Sequence, residues 1–255
     1  MYAEERQQAM VRLITDRGRL SVNQLADQYG ITTETVRRDL TALERIGLVR
    51  RVHGGAVPAG ALTTIESALG ERDTARTAEK DRIAKAALDL LPPDGGSVLF
   101  DAGSTTARVA AALPPELRLT VFTNGLPVAS RLVGHPHLDL HLLPGRVRRT
   151  TQAAVGPDTV AALSQLRVDL AFVGTNGITT GHGFTTPDPD EAATKRSIVA
   201  SARRVVVLAD ATKFGLEAAV RFADVDQVDL LVTDGSAEEA DVRALERAGV
   251  QVVVA

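Results

Sequence analysis

Apolar residues recur with two different periods along this chain, and the change of period divides it. Over the first fifty residues the spacing is helical. Glu4 to Arg17 repeats apolar side chains at Met10, Val11, Leu13 and Ile14; Ser21 to Tyr29 carries a stripe at Val22, Leu25 and Ala26; Thr32 to Gly47 lines up Val36, Leu40 and Leu43. Start and stop signals agree with these stripes. Ser21 with Gln24 makes a capping box, Gly30 closes a short turn, Thr32 caps the third helix, and Gly47 ends it with a left-handed residue. The pattern predicts three helices around a small core, the last two at the spacing of a helix-turn-helix. Leu48 to Val52 and Ala56 to Val57 then read as two short strands joined through His53-Gly54-Gly55, which is a wing.

Past residue 70 short apolar runs alternate with helical stretches. Glu71 to Leu91 reads as one helix stopped by Pro92-Pro93. Val98 to Phe100, Leu119 to Phe122, Leu138 to Leu143, Leu170 to Val173, Val205 to Ala209, Leu230 to Thr233 and Val250 to Val254 read as strands. Thr105 to Leu113, Leu126 to Leu132, Asp158 to Gln165, Glu191 to Ala202 and Glu238 to Ala248 read as helices between them. Such alternation predicts an α/β domain with a mostly parallel sheet covered on both faces, which binds ligands at the carboxyl ends of its strands. The expected organisation is a winged helix-turn-helix domain over residues 1–57, a small-residue linker over 58–70, and the α/β domain over 71–255.

Composition changes the picture in three places. A length of 255 residues favours two cores over one. The chain has no cysteine, so disulfides, thiol catalysis and cysteine zinc sites are excluded, and no apolar run reaches membrane-spanning length; a cytoplasmic protein is expected. The net charge of −3 conceals a split: residues 1–60 hold nine Lys and Arg against seven Asp and Glu, and the acidic excess lies in the remainder. Its sign assigns nucleic-acid contact to the first domain.

The third helix offers the chemistry for that contact. Thr32, Thr33, Glu34, Thr35, Arg37, Arg38 and Thr41 spread over its polar side, with Ser21 at the start of the preceding helix and Arg50, Arg51 and His53 on the wing. These are candidate contacts to base edges or phosphates of double-stranded DNA. Asp39 has a different expected role, pairing with a neighbouring arginine to fix the helix. The alternative is an ordinary helical hairpin with solvated arginines.

In the second domain the polar residues just after each strand converge. Asp101-Ala102-Gly103-Ser104-Thr105-Thr106 joins a strand to a helix, with hydroxyls and a helix start that favour an anion, although the spacing and lysine of a nucleoside-triphosphate loop are absent. Thr123-Asn124-Gly125, Asn176-Gly177, Asp210 and Lys213 follow other strands, and Glu191 and Lys195 sit one turn apart on a helix. Hydroxyl, amide, carboxylate and ammonium groups together suit a sugar phosphate; the alternative makes Glu191 and Lys195 a surface pair and Asp210 a strand end. His137, Asp139 and His141 share one strand face, but Leu138, Leu140 and Leu142 take the other, so the polar face of a half-buried edge strand is expected rather than a metal site.

Arg6, Met10 and Ile14, followed by Thr32, Thr35, Val36, Arg37, Arg38, Asp39 and Leu40 and by HGGA at 53–56, resemble the signature of the DeoR family of bacterial transcription regulators. DAGSTT, TNG, GRVR at 145–148, GTNGI at 174–178, EAATKR at 191–196, DATKFG at 210–215 and VTD at 232–234 resemble the same family's sensor domain, which is similar in fold to ribose-5-phosphate isomerase. GTNGI, TPDPDEAATKR and VRFADVDQVD resemble its actinobacterial fructose-operon branch. The chain departs from the family at Pro144-Gly145-Arg146, where Gly-Gly is usual. The resemblance implies a phosphate held by Asp101, Ser104, Thr105 and Thr106 and a sugar ringed by Asn176, Glu191, Lys195, Asp210 and Lys213; Gly103, Thr123, Asn124 and Gly177 are ligand-binding candidates from their place after the strands.

Two functions follow as expectations. The first is a repressor of a sugar-metabolism operon, binding operator DNA as a homodimer or homotetramer, with no resident cofactor and with a phosphorylated sugar as effector, fructose 1-phosphate being the first candidate. The second is a phosphosugar isomerase with Glu191 as base; Thr175-Asn176-Gly177 stands where the isomerase pattern has DGAD, which argues against catalysis.

Overall fold

The computed structural model describes residues 2–17, 20–52, 54–58 and 68–255. The chain forms two compact units, Met1–Leu62 and Thr63–Ala255. Of the expected elements, His53 at the wing tip and residues 59–67 of the linker lie outside the described residues.

The first unit runs α1 (Ala3–Arg17), β1 (Leu20–Ser21), α2 (Val22–Tyr29), α3 (Thr33–Arg45), β2 (Val49–Val52) and β3 (Gly55–Pro58). Met10, Ile14, Leu25, Val36 and Leu40 are fully buried between the three helices. Each such side chain stabilises the fold by roughly 1.5–3 kcal/mol through area removed from water. The wing strands begin one residue later and earlier than expected, and Leu48 stays outside them, exposed. They form an antiparallel sheet in the order β1-β3-β2. Two residues cannot display a period, so β1 was not expected. It has a steric consequence: a Cβ on Gly55 would stand 2.1 Å from the Leu20 carbonyl oxygen.

The second unit begins with α4 (Leu69–Thr74) and α5 (Thr77–Leu88). The single helix expected from Glu71 is therefore broken. At the break Arg76 adopts φ 52°, a left-handed conformation that costs a residue with a side chain about 1–2 kcal/mol. Its guanidinium reaches Asp234 at 3.1 Å and Ser236 at 2.7 Å, so contacts 158 and 160 residues away override the local periodicity.

There follow β4 (Ser97–Phe100), α6 (Ser104–Ala111), β5 (Leu119–Thr123), α7 (Leu126–Leu132), β6 (Leu138–Leu142), β7 (Arg146–Arg148), β8 (Ala153–Val155), α8 (Pro157–Ser164) and β9 (Val168–Gly174). The chain closes with β10 (Gly177–Thr179), β11 (Gly183–Thr186), α9 (Pro189–Ser201), β12 (Ala202–Leu208), β13 (Val220–Ala223), β14 (Leu230–Thr233), α10 (Glu239–Arg247) and β15 (Gln251–Val254). Seven strands form one sheet in the order β15-β14-β12-β9-β4-β5-β6, every neighbouring pair parallel.

Helices α5, α6 and α7 cover one face against Val98, Phe100, Phe172 and Val206; α8, α9 and α10 cover the other against Leu99, Ala171, Val173 and Val207. The hairpin β7–β8 and the antiparallel sheet β10-β11-β13 were not expected, because strands of three or four residues carry too little alternation to stand out. From β4 the chain moves outward through β5 and β6, then returns to lay β9 on the other side of β4. The strand order thus reverses between β4 and β9, and the carboxyl ends of strands at such a reversal are where open parallel sheets bind ligands in a crevice.

Candidate functional site

In the first unit the candidate reading surface is α3. The Thr32 hydroxyl accepts the Thr35 backbone N–H at 3.2 Å, which fixes the helix start. Thr32, Glu34, Arg37, Arg38 and Thr41 are exposed, and Thr33 and Thr35 are half-buried along the same side. Arg37 lies 3.5 Å from Glu34, Thr41 donates to the Arg37 carbonyl, and Arg51 reaches from the wing to the Thr41 hydroxyl at 3.0 Å. Among the described residues the Arg38 side chain makes no hydrogen bond or ion pair, so its guanidinium is available to an external acceptor.

Ser21 spends its hydroxyl on the cap of α2, accepting from the Gln24 backbone N–H at 3.1 Å. Arg50 is half-buried, and burial pushes its guanidinium down from its ordinary value. Asp39 is 3% exposed and does pair with an arginine, but one from α1. Arg6 Nε stands 2.7 Å from its carboxylate, and Gln7 Nε2 donates to the other oxygen at 2.9 Å. That pair holds the Arg6 guanidinium above its ordinary value and locks α3 against α1.

In the second unit five neighbouring parallel strands deliver polar residues to one edge. Across the sheet these are Asp234, Asp210, Thr175 with Asn176, Asp101, and Thr123 with Asn124. At the reversal, Asp101 Oδ2 accepts the Gly174 N–H at 3.0 Å and the Lys195 ammonium, and Lys195 also donates to the Gly174 carbonyl at 2.9 Å. Burial pushes the Asp101 carboxyl up, against the pull of Lys195. Lys195 further sits 5.4 Å from the Phe222 ring centre. The alternative of a surface pair does not hold: Glu191 and Lys195 are both buried, and each turns to a different partner.

Glu191 is held by Arg148 Nη1 at 2.6 Å, by the Thr151 hydroxyl and by Thr186 at 3.4 Å; Thr186 also donates to Asn176 Oδ1 at 3.1 Å. Arg148 stands 3.2 Å from Asp188, which caps α9 by accepting the Glu191 N–H. Arg146 instead pairs with exposed Asp190 at the surface.

The loop before α6 keeps two groups unspent. Thr106 donates to the Gly103 carbonyl at 3.0 Å, while the Ser104 and Thr105 hydroxyls make no hydrogen bond among the described residues. Thr123 and Asn124 brace this loop: Thr123 Oγ1 donates to the Phe100 carbonyl, and Asn124 accepts from Ala102 N–H and donates to the Ala154 carbonyl. Gly177 permits a close backbone approach, since a Cβ there would lie 2.2 Å from the Leu216 carbonyl oxygen.

A third group surrounds Asp210, whose carboxylate accepts the Thr212 N–H at 3.1 Å and lies 3.5 Å from Arg76. Two ammonium groups share its neighbourhood. Buried Lys80 donates to the Ala75 carbonyl at 2.7 Å and to the Arg72 carbonyl; burial first, and then the neighbouring Lys213, lower it to about 8 against the pull of Asp210. Lys213 is likewise lowered, chiefly by burial and also by Arg72 and Arg76. Neither has a carboxylate within ion-pair distance among the described residues. Lys80, Arg148, Thr151 and Thr186 were not singled out in the sequence. For Lys80 a signal existed: the buried stripe Ile83, Ala84, Ala87 continues one turn back onto a lysine.

No described helix is long and apolar enough to cross a membrane. A winged helix-turn-helix unit and a parallel α/β unit with a polar crevice at its strand reversal together define a transcription regulator that carries its own sensing domain. The chain belongs to the DeoR family: a DeoR-like helix-turn-helix domain matches residues 6–59 and the DeoR C terminal sensor domain matches residues 75–235. The HTH-type transcriptional regulator GlpR of Haloferax volcanii is 37% identical over 99% of this chain and 98% of its own length. The HTH-type transcriptional regulator FruR of Bacillus subtilis is 34% identical over 92% of each chain, and the glycerol-3-phosphate regulon repressor of Escherichia coli is 31% identical over 92% of each. A solved D-ribose-5-phosphate isomerase aligns at a TM-score of 0.41 and 17% identity over 54% of each chain, too loosely to carry an argument.

Proposed function

We propose that this regulator is a repressor whose second unit binds a phosphorylated sugar, fructose 1-phosphate being the first candidate, and that binding changes how a dimer or tetramer engages paired operator half-sites. The observation that carries the effector reading is the pair Lys80 and Lys213: two ammonium groups, both lowered by burial, around a single carboxylate. A dianionic phosphate offsets that excess, and the open Ser104 and Thr105 hydroxyls at the start of α6 supply further donors. The names of the glycerol-3-phosphate regulon repressor and of the putative aga operon transcriptional repressor, 30% identical over 98% of this chain, support a repressor of a carbon-source operon. The reading is of a binding protein without turnover, because a general base must be free to take a proton and Glu191 is held by three donors.

A thermal-shift panel of sugar phosphates, their unphosphorylated parents and inorganic phosphate tests this. At a hundredfold excess over Kd a ligand stabilises by about 2.7 kcal/mol, a rise of roughly 5–10 °C. The rise is expected with a phosphosugar on the wild type and absent in Lys213→Ala and Thr105→Ala. Affinity should fall as pH rises through about 8, where Lys80 passes from charged to neutral. A panel in which no phosphorylated sugar shifts the midpoint refutes the effector assignment.

A further inference from the structure

Strand β6 is one end of the seven-stranded sheet, and its outer backbone groups face away from the sheet. The Leu143 N–H donates to the Thr123 carbonyl on β5, so by alternation the N–H and C=O groups of Leu138, Leu140 and Leu142 point outward. Proteins blunt such edges with lysine, proline or a bulge. Leu138–Leu142 contains neither residue, and its ladder with β5 runs without a register shift. Leu142 is 51% exposed. On the other face Asp139 and His141 are 3.1 Å apart with their side chains 73% and 48% exposed, and the His141 ring stacks on Phe122 at 4.8 Å.

The sequence of this strand, Leu-Asp-Leu-His-Leu, is symmetric in its apolar positions and complementary in its polar ones when read backwards. We infer that β6 pairs antiparallel with β6 of a second copy of this chain, about a two-fold axis through Leu140. An axis perpendicular to the sheet must pass through a residue, which leaves three central registers. Centring on Asp139 sets carboxylate against carboxylate, and centring on His141 sets imidazole against imidazole. Centring on Leu140 sets Asp139 opposite His141 of the partner copy, twice. Those are the non-hydrogen-bonded positions, where facing side chains come closest, while Leu138, Leu140 and Leu142 exchange about six ladder hydrogen bonds. This register also sets the exposed Leu142 against the other copy's Leu138. The opposite edge, β15, reads Gln-Val-Val-Val and carries no carboxylate–imidazole pair that would select a register. The pairing closes on itself, as an isologous contact must, and gives a regulator of paired half-sites its second copy. It stands or falls independently of the effector.

Sedimentation of the full chain near 10 µM tests it. His141→Asp places four carboxylates together and is expected to halve the particle mass, with an unchanged far-UV spectrum since both side chains are exposed. The double swap D139H/H141D again sets carboxylate opposite imidazole, with the positions exchanged, and is expected to recover the wild-type mass. A monomeric wild type, a His141→Asp variant of wild-type mass, or a double swap that stays dissociated would each overturn the pairing.

Discussion

The two functional surfaces of this regulator hold their polar groups in opposite ways. On α3 most of them stand in water with only local or exposed partners, and the helix is fixed from behind by a buried core and by Asp39. In the crevice of the α/β unit Asp101, Glu191 and Lys195 are themselves buried, and each is held by residues from distant parts of the chain. Lys195 finds Asp101 94 positions away, and Glu191 finds Thr151 40 positions away. An exposed side chain costs little stability and is free to read a partner; a buried ion must be compensated in place. Substitutions on α3 should therefore separate binding from stability, and substitutions in the crevice should not.

The largest effect is expected from Lys195→Met. It leaves Asp101 buried without its cation, and equilibrium unfolding should show a loss of about 3–5 kcal/mol. A loss below about 1 kcal/mol would erase the distinction between the two surfaces. Asp39→Ala, which deprives Arg6 and Gln7 of their acceptor, should cost about 2–3 kcal/mol of stability by the same measurement. Specific DNA binding should fall with it, because α3 loses its anchor to α1.

Arg38→Ala sharpens the contrast. Operator affinity at fixed salt should fall by about 1–3 kcal/mol if this guanidinium reads a base, while the melting midpoint stays where it was. A midpoint that moved with the affinity would make Arg38 a structural residue. The smallest effect is expected at Glu34→Ala, which removes an exposed pair 3.5 Å long and should change stability by less than about 0.5 kcal/mol.

The same contrast explains what could be read in advance. The helix-turn-helix was legible because its determinants are local. Ser21 and Gln24 are three residues apart, Thr32 caps its own helix, and Val36, Leu40 and Leu43 form a stripe within one helix. The parallel sheet was legible because each buried strand is a continuous apolar run. What escaped was set by tertiary contacts: Arg76 breaks a helix to reach Asp234, Lys80 takes an apolar position to bond two carbonyls, and the hairpin β7–β8 brings Arg148 to Glu191. No local period announces a contact between residues forty or a hundred and fifty positions apart. The motif residues after each strand marked the correct edge of the sheet, but which groups pair there depends on the strand order.

Helix α4 is six residues long, below the length at which a helix sustains itself in water. Its hold on the fold is partly borrowed: Leu69 N–H donates to the Thr150 carbonyl at 2.8 Å, Arg108 donates to the Asp73 carbonyl, and Lys80 grips the Arg72 and Ala75 carbonyls. An anion that drew the Lys80 ammonium away from those carbonyls would loosen this hold. The amide protons of Leu69–Thr74 are then expected to exchange with solvent faster, which makes hydrogen exchange over this helix a clock for the engagement of Lys80.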